Sequence, residues 1–191
     1  MSDQQKSYEM VAFPNRDVST IFILVLLYVG TFATLWAYGD WLQLSLAMFL
    51  TPALIWLSVR DLQTFELPDF SILAIVVIGF AHVSFADPEA LLFHIGIAIS
   101  VTVFFWCLGE VYFRRFGHEG LGIGDAKLFG AGALLLGPWY ISELVLLPSL
   151  GGIAFYLMLR LRGREAISGV PFGPFIAYAI FILSFLNPLF A

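Results

Sequence analysis

Charge is what this chain has least of. Only 12% of its 191 residues are charged and 60% are hydrophobic, whereas soluble domains carry about 25% charged residues. A soluble domain of this size could not hide so much apolar surface, so the excess is expected to face lipid. Basic residues are the scarcer sign, nine against fourteen acids, for a net charge of −5. That balance excludes nucleic acid as a partner, because nucleic acid needs a basic face. Cysteine occurs once, as Cys107 inside an apolar run. One cysteine makes neither an internal disulfide nor a zinc ribbon, and Cys107 reads as a small buried hydrophobe. The phosphate-loop pattern is missing too, since Lys127 is followed by Leu128 instead of Ser or Thr. There is no tandem repeat and no low-complexity linker.

What the chain does have is long apolar runs. A helix needs about 20 mostly apolar residues to cross a bilayer. Seven spans are expected on that criterion, near residues 19–39, 41–59, 70–86, 90–112, 126–141, 142–160 and 171–190. The fold expected is therefore an all-α polytopic transmembrane helix bundle. Residues 1–18 are polar and form an N-terminal tail; the run after them is longer than a signal-peptide core and reads as an uncleaved span. Turn formers mark the links at Gly39-Asp40, Asp87-Pro88 and Gly137-Pro138.

Orientation follows from the basic residues, which stay on the cytoplasmic side. With the N-terminus inside, the inner segments carry Lys6, Arg16, Arg60, Arg114, Arg115, Lys127, Arg160, Arg162 and Arg164, all nine in the chain. The outer links carry only Asp40, Asp87, Glu89 and Glu143. The expected placement is a multi-pass protein of the cytoplasmic membrane, with the loops after the second, fourth and sixth spans facing the cytoplasm. The basic cluster at 160–164 also suits contact with anionic lipid.

Two of those loops carry candidate chemistry. In the first, Asp61 ends the second span, and Pro68 suits the first turn of the third. An ordinary charged loop fits the same residues. In the second, Gly120, Gly122 and Gly124 lead to Asp125 at the start of the fifth span. The glycines permit unusual backbone conformations and close approach, and a helix start favours a carboxylate. A plain acidic N-cap is the simpler alternative. Ala126, Gly130, Ala133 and Gly137 share one face of that span, which lets a neighbouring helix come close. If the neighbour is the second span, Asp61 and Asp125 meet; general bundle packing explains the stripe equally well. Two carboxylates brought together couple their titrations and share a proton. Such a pair can take a proton from water and donate one to a carbonyl oxygen. Asp125, at its helix start, is the expected base and Asp61 the protonated partner.

Gly122-Ile123-Gly124-Asp125 is a GxGD motif, continued by Ala126-Lys127-Leu128. Asp61 with Leu67-Pro68-Asp69 is a companion motif, and Val170-Pro171-Phe172-Gly173-Pro174-Phe175 a third. Together, over roughly residues 41–190, they resemble the type IV prepilin peptidases, bacterial aspartic proteases of the GxGD type. The resemblance implies a protease domain over 41–191, with 19–40 an additional span. Asp61 and Asp125 would be catalytic, Gly122 and Gly124 would shape the backbone beside Asp125, and Pro68, Asp69, Lys127, Pro171, Gly173 and Pro174 would support the site or the substrate. The substrate implied is a prepilin or pseudopilin with an N-terminal hydrophobic helix, cut behind its basic leader at the cytoplasmic face. Contact with a pilus or secretion assembly machinery is compatible with this, as is contact with membrane lipid. Many bifunctional relatives carry a cytoplasmic insert with paired cysteines that binds zinc and assists N-methylation. With Cys107 alone, cleavage without methylation is expected, and no cofactor.

Two alternatives stay open: another GxGD protease of preflagellin or signal-peptide type, and a non-enzymatic transporter or scaffold whose acids bind cations or protons. A metal at His118, Glu119 and Asp125 is not expected, since ligands come in sets of compatible geometry. His82 and His94 lie near the outer ends of their spans and suit the interface.

Overall fold

The computed structural model describes residues 18–38, 41–118, 120–161 and 170–186. The expected tail at 1–18 up to Asp17, the Gly39-Asp40 turn, Glu119, Arg162, Arg164 and the end of the last span past Leu186 lie outside the described residues. Among the described residues there are seven α-helices: α1 (Val18–Tyr38), α2 (Trp41–Thr64), α3 (Asp69–Ala86), α4 (Leu91–Phe116), α5 (Ile123–Leu136), α6 (Ile141–Leu161) and α7 (Gly173–Leu186). One 3₁₀ turn, Pro138–Tyr140, joins α5 to α6. Among the described residues, four helices are long and apolar enough to cross a membrane. The protein is a helical membrane bundle, with large apolar side chains such as Phe70, Phe85, Leu92 and Phe104 exposed on its outside.

The bundle is organised around a short interior helix. α5 has 14 residues, a rise of about 21 Å, well short of the roughly 30 Å hydrocarbon core. Leu128, Phe129, Ala133, Leu135 and Leu136 are all essentially inaccessible. They are covered by α3, α4 and α7 instead of by lipid. This corrects the span expected at 126–141: a helix sheltered by protein need not cross the bilayer, and Gly137-Pro138 ends it early.

Of the two readings left open for the small-residue stripe on α5, general bundle packing is the one seen. A Cβ at Gly130 would collide with Thr102 Oγ1 and lie 3.0 Å from the Ala98 carbonyl oxygen, so this face meets α4, not α2. A Cβ at Gly132 would meet Ile180 of α7 at 2.8 Å. The close approaches thus run to several neighbours.

α2 extends to Thr64, past the boundary expected at 59. Leu50, Leu54, Leu57 and Asp61, at steps of four, three and four, are all buried. These positions share one helix face, and Asp61 stands where the next core leucine would. α1 docks on the bundle through Tyr28, whose ring lies 4.8 Å from Phe181 and 5.5 Å from Tyr178.

Cys107 is exposed on α4, so the buried placement expected for it is incorrect. His94, expected at the interface, is buried, and its Nδ1–H donates to the Leu134 carbonyl at 2.8 Å. His82 is buried as well.

Candidate active site

Three helix ends converge at one end of the bundle: the last turn of α2, the first turn of α5 and the first turn of α7. Asp61 comes from α2, and its side chain is only about 5% exposed. Its Oδ2 accepts the backbone N–H of Gly173 at 2.9 Å. Phe172 caps α7, its carbonyl accepting from Phe175 and Ile176. Gly173 N–H is therefore one of the donors that a helix start leaves without an intrahelical partner. A buried carboxylate is satisfied here by the end of a helix 112 residues away in sequence.

Asp125 occupies the third position of α5. Gly122 is the N-cap, without a side-chain cap, and the Asp125 carboxylate turns back to the Gly122 backbone. This is the returning half of a capping box, so Asp125 is not the N-cap itself. Asp125 is half-buried, and the charge of Asp61 acts on it, so the two carboxylates share one electrostatic site. The helix-start argument that singled out Asp125 as the anion no longer distinguishes the pair, because Asp61 is held by a helix start too.

Leu67 stands in the companion motif, but sequence reasoning gave it no role of its own. A Cβ added to Gly124 would sit 2.9 Å from Leu67 Cβ, and one added to Gly173 would sit 2.7 Å from Leu67 Cδ2 and 2.9 Å from Asp61 Oδ2. Leu67 therefore wedges between the two glycines that flank the aspartates. The chain reaches it through Phe65, whose φ of 54° is left-handed, uncommon for a residue with a Cβ. Its amide bonds back to the Asp61 carbonyl at 2.9 Å, which closes α2 with one left-handed residue.

Gly122 is different. Its φ is −69° and its ψ 148°, open to any residue, and a Cβ there would make only ordinary contact with Asp125 Oδ2 at 3.4 Å. The loop glycines at 122 and 124 both avoid positive φ. Gly124 serves close approach, and the unusual dihedrals expected of this loop are absent at these two positions.

Of the supporting residues, Pro68 precedes α3 as its cap, with φ −69°. Pro171, Gly173 and Pro174 are buried, and the adjoining Phe172 packs against Gly152 of α6. Lys127 does not pair with either site aspartate: its Nζ pairs with Asp69 Oδ1 at 2.6 Å, with both side chains substantially exposed. This ties the start of α5 to the start of α3. His118 is exposed. Among the described residues, no three His, Cys, Asp or Glu side chains gather in a metal-binding group.

Known proteins match this chain along most of its length. The model of the type IV leader peptidase family matches residues 48–157. A Burkholderia pseudomallei protein named "Prepilin leader peptidase/N-methyltransferase" is 34% identical over 135 residues, 70% of this chain and 44% of its own length. A Pseudomonas aeruginosa protein of the same name is 34% identical over 151 residues, 75% of this chain and 50% of its own. A Legionella pneumophila protein of that name is 27% identical over 173 residues, covering 88% and 57%. The chain thus spans about half the length of these relatives. No solved structure matches it. The stretch matched by the family model contains both aspartates and the GxGD motif, and the chain belongs to the type IV leader peptidase family.

Proposed function

We propose that this protein is a prepilin-type leader peptidase of the bacterial cytoplasmic membrane that cleaves with Asp61 and Asp125. Its substrate class is a prepilin or pseudopilin, cut between a short basic leader and an apolar helix. The observation that carries the reading is that the two carboxylates come within each other's field at one end of the bundle, within the segment that identifies the family. Neither comes from the loop-borne clusters common in soluble sites. Each is held at a helix start, one by Gly173 N–H and one beside Gly122.

The chemistry is that of a pair sharing one proton. The ionised carboxylate takes a proton from a water molecule as the water oxygen attacks the scissile carbonyl carbon. The protonated carboxyl donates to the carbonyl oxygen, giving a tetrahedral diol. Collapse of the diol breaks the C–N bond, with a proton delivered to the leaving amine. Because the two sites couple, the activity depends on the protonation of the pair, not of either residue alone.

Cleavage at the cytoplasmic face is supported by the one-sided distribution of Lys and Arg. Cleavage without N-methylation is supported by the single cysteine, which lies exposed on α4 with no second cysteine to pair with. The test is co-expression of the full chain with a prepilin or pseudopilin. A shortened product with an unmethylated new N-terminus is expected with the native chain, and none with Asp61→Asn or Asp125→Asn. Normal processing by both variants would sink the proposal.

A further inference from the structure

Away from the aspartates, α3 and α4 diverge and leave an apolar groove of about 790 Å³ whose floor is α5. Leu73 of α3 and Ile99 of α4 line it and are more than half exposed, so it opens sideways from the bundle. In a membrane, such a gap is filled by something apolar. Three observations say what.

The first is direction. On α5 the groove is lined by Lys127, Gly130, Ala131 and Leu134. At about 100° per residue these stand roughly 140° to 240° around the helix from Asp125. The groove and the carboxylate pair therefore lie on opposite faces of α5, and an occupant of the groove is shielded from Asp125 by the helix itself.

The second is depth. The groove follows α3 from Asp69 to Phe80, a rise of about 16 Å. That is about one leaflet of a hydrocarbon core roughly 30 Å thick. A membrane-crossing helix needs the full thickness; a lipid chain needs half.

The third is charge. The mouth of the groove carries Asp69 and Lys127, joined at 2.6 Å. The pair is neutral overall but offers a cation and an anion side by side at the membrane surface. A headgroup with a phosphate and a primary ammonium matches it: phosphate oxygen on the remaining Nζ–H donors of Lys127, ammonium on Asp69 Oδ2. A headgroup that is only anionic would set its phosphate against Asp69. A choline headgroup has no N–H to donate.

We propose that this groove is a binding site for one aminophospholipid of the phosphatidylethanolamine type, with an acyl chain along α3 and α4 and its headgroup on Asp69 and Lys127. The site is distinct from the carboxylate cleft, and the proposal does not depend on the cleavage reading.

The test uses the full chain in nanodiscs in which phosphatidylethanolamine, phosphatidylglycerol and phosphatidylcholine are present at equal mole fraction. Lipid retained after detergent extraction is read by native mass spectrometry. One phosphatidylethanolamine per chain is expected, favoured over each competitor by at least tenfold. Lys127→Ala and Asp69→Asn are each expected to lose that preference. Lys127→Arg, which keeps the cation, should retain it. Leu73→Trp, at an exposed position that leaves the core intact, should reduce retention by filling the groove. Equal retention of the three lipids would mean annular lipid only and overturn the proposal. A preference for phosphatidylglycerol would overturn the headgroup assignment and the proposal with it. A photo-crosslinker at Leu73 that captures a co-expressed pilin-type substrate in place of lipid would also overturn it.

Discussion

The two ends of α5 are built from similar parts and do opposite things. At its start, Gly122 and Gly124 lead into an acid, Asp125, brought into the field of another acid, Asp61. At its end, Gly137 takes a left-handed φ of 71° and its amide returns to the Ala133 carbonyl. There His94 of α4 closes over it, donating to the Leu134 carbonyl. Both ends use glycine where a side chain from elsewhere in the fold presses in, and both use a titratable side chain against helix-terminal backbone. At the far end the Ala133 and Leu134 carbonyls each find a donor, one from the Gly137 amide and one from His94. At the near end like charges are assembled. Sites that do chemistry keep such an imbalance where purely structural ones remove it.

The largest expected effects break the near end. Asp61→Asn and Asp125→Asn each remove a proton acceptor, and general acid–base assistance is worth about 10²–10⁴-fold in rate. Leader cleavage in membranes should fall by about 10³-fold or more for either variant, while the amount of folded protein changes little. The double variant should be no worse than the single ones, because residues acting as a unit are not additive. Purified enzyme should give a pH–rate profile with two coupled ionisations that collapses when either aspartate is replaced. A simple one-group profile for the native enzyme would contradict the shared proton.

Gly173→Ala comes next and keeps both acids. The new methyl would stand 2.7 Å from Leu67 Cδ2 and 2.9 Å from Asp61 Oδ2. Something must shift, and the methyl presses on the Asp61 carboxylate as well as on Leu67. Misplacement of a reacting group by about 1 Å costs roughly 10²-fold, so cleavage should fall by about that factor. Shortening the wedge with Leu67→Ala should restore part of it. Gly122→Ala, where a methyl meets nothing closer than 3.4 Å, should cost much less.

How far these features could be read in the sequence differs between the two ends. Asp61 was legible twice over. It lies in a motif, and it continues the four-three-four spacing of Leu50, Leu54 and Leu57, which predicts an inward carboxylate once the helix is allowed to run past residue 59. Asp125 was legible from GxGD. Leu67 was legible only as a member of the companion motif; its role was not, because a leucine in an apolar chain carries no signal of its own, and only the two glycines it wedges between, 49 residues apart in sequence, reveal it. The boundaries of α5 were misread because the length rule assumes lipid around every apolar helix, and this one is surrounded by protein. His94 was misread for a related reason. A polar residue near the end of a span suggests the interface, yet here that end is where the Gly137-Pro138 break leaves α5 carbonyls to satisfy. Small-residue periodicity said that α5 packs closely but could not say against which helix, because several faces of α5 carry glycine.

His94→Ala tests the far end. It leaves the buried Leu134 carbonyl without its donor, which costs about 1–3 kcal/mol, and opens space above Gly137. The protein should unfold in a detergent titration about 2 kcal/mol more easily, with the cleavage rate per folded molecule nearly unchanged. Gly137→Ala should be at least as destabilising, since it combines a left-handed φ with a methyl 2.7 Å from the His94 ring. An effect on rate comparable to that of Gly173→Ala would erase the distinction between the two ends.

The smallest effect belongs to the ion pair that steadies the near end from outside. Lys127 and Asp69 meet at 2.6 Å, with the Lys127 side chain 43% exposed and that of Asp69 78% exposed. Exposed pairs contribute about 0.2–1 kcal/mol, because water screens the attraction and two side chains lose freedom to form it. A double-mutant cycle with Lys127→Ala and Asp69→Ala should return a coupling energy in that range, shrinking as salt is raised. The pair spans the starts of α3 and α5, so it bears on the loop that carries Leu67 and on the turn that carries Asp125. A coupling well above about 1 kcal/mol would mean that the charges feel less water than their exposure implies. The stability of the near end would then rest on its surface pair as well as on the wedge beneath it.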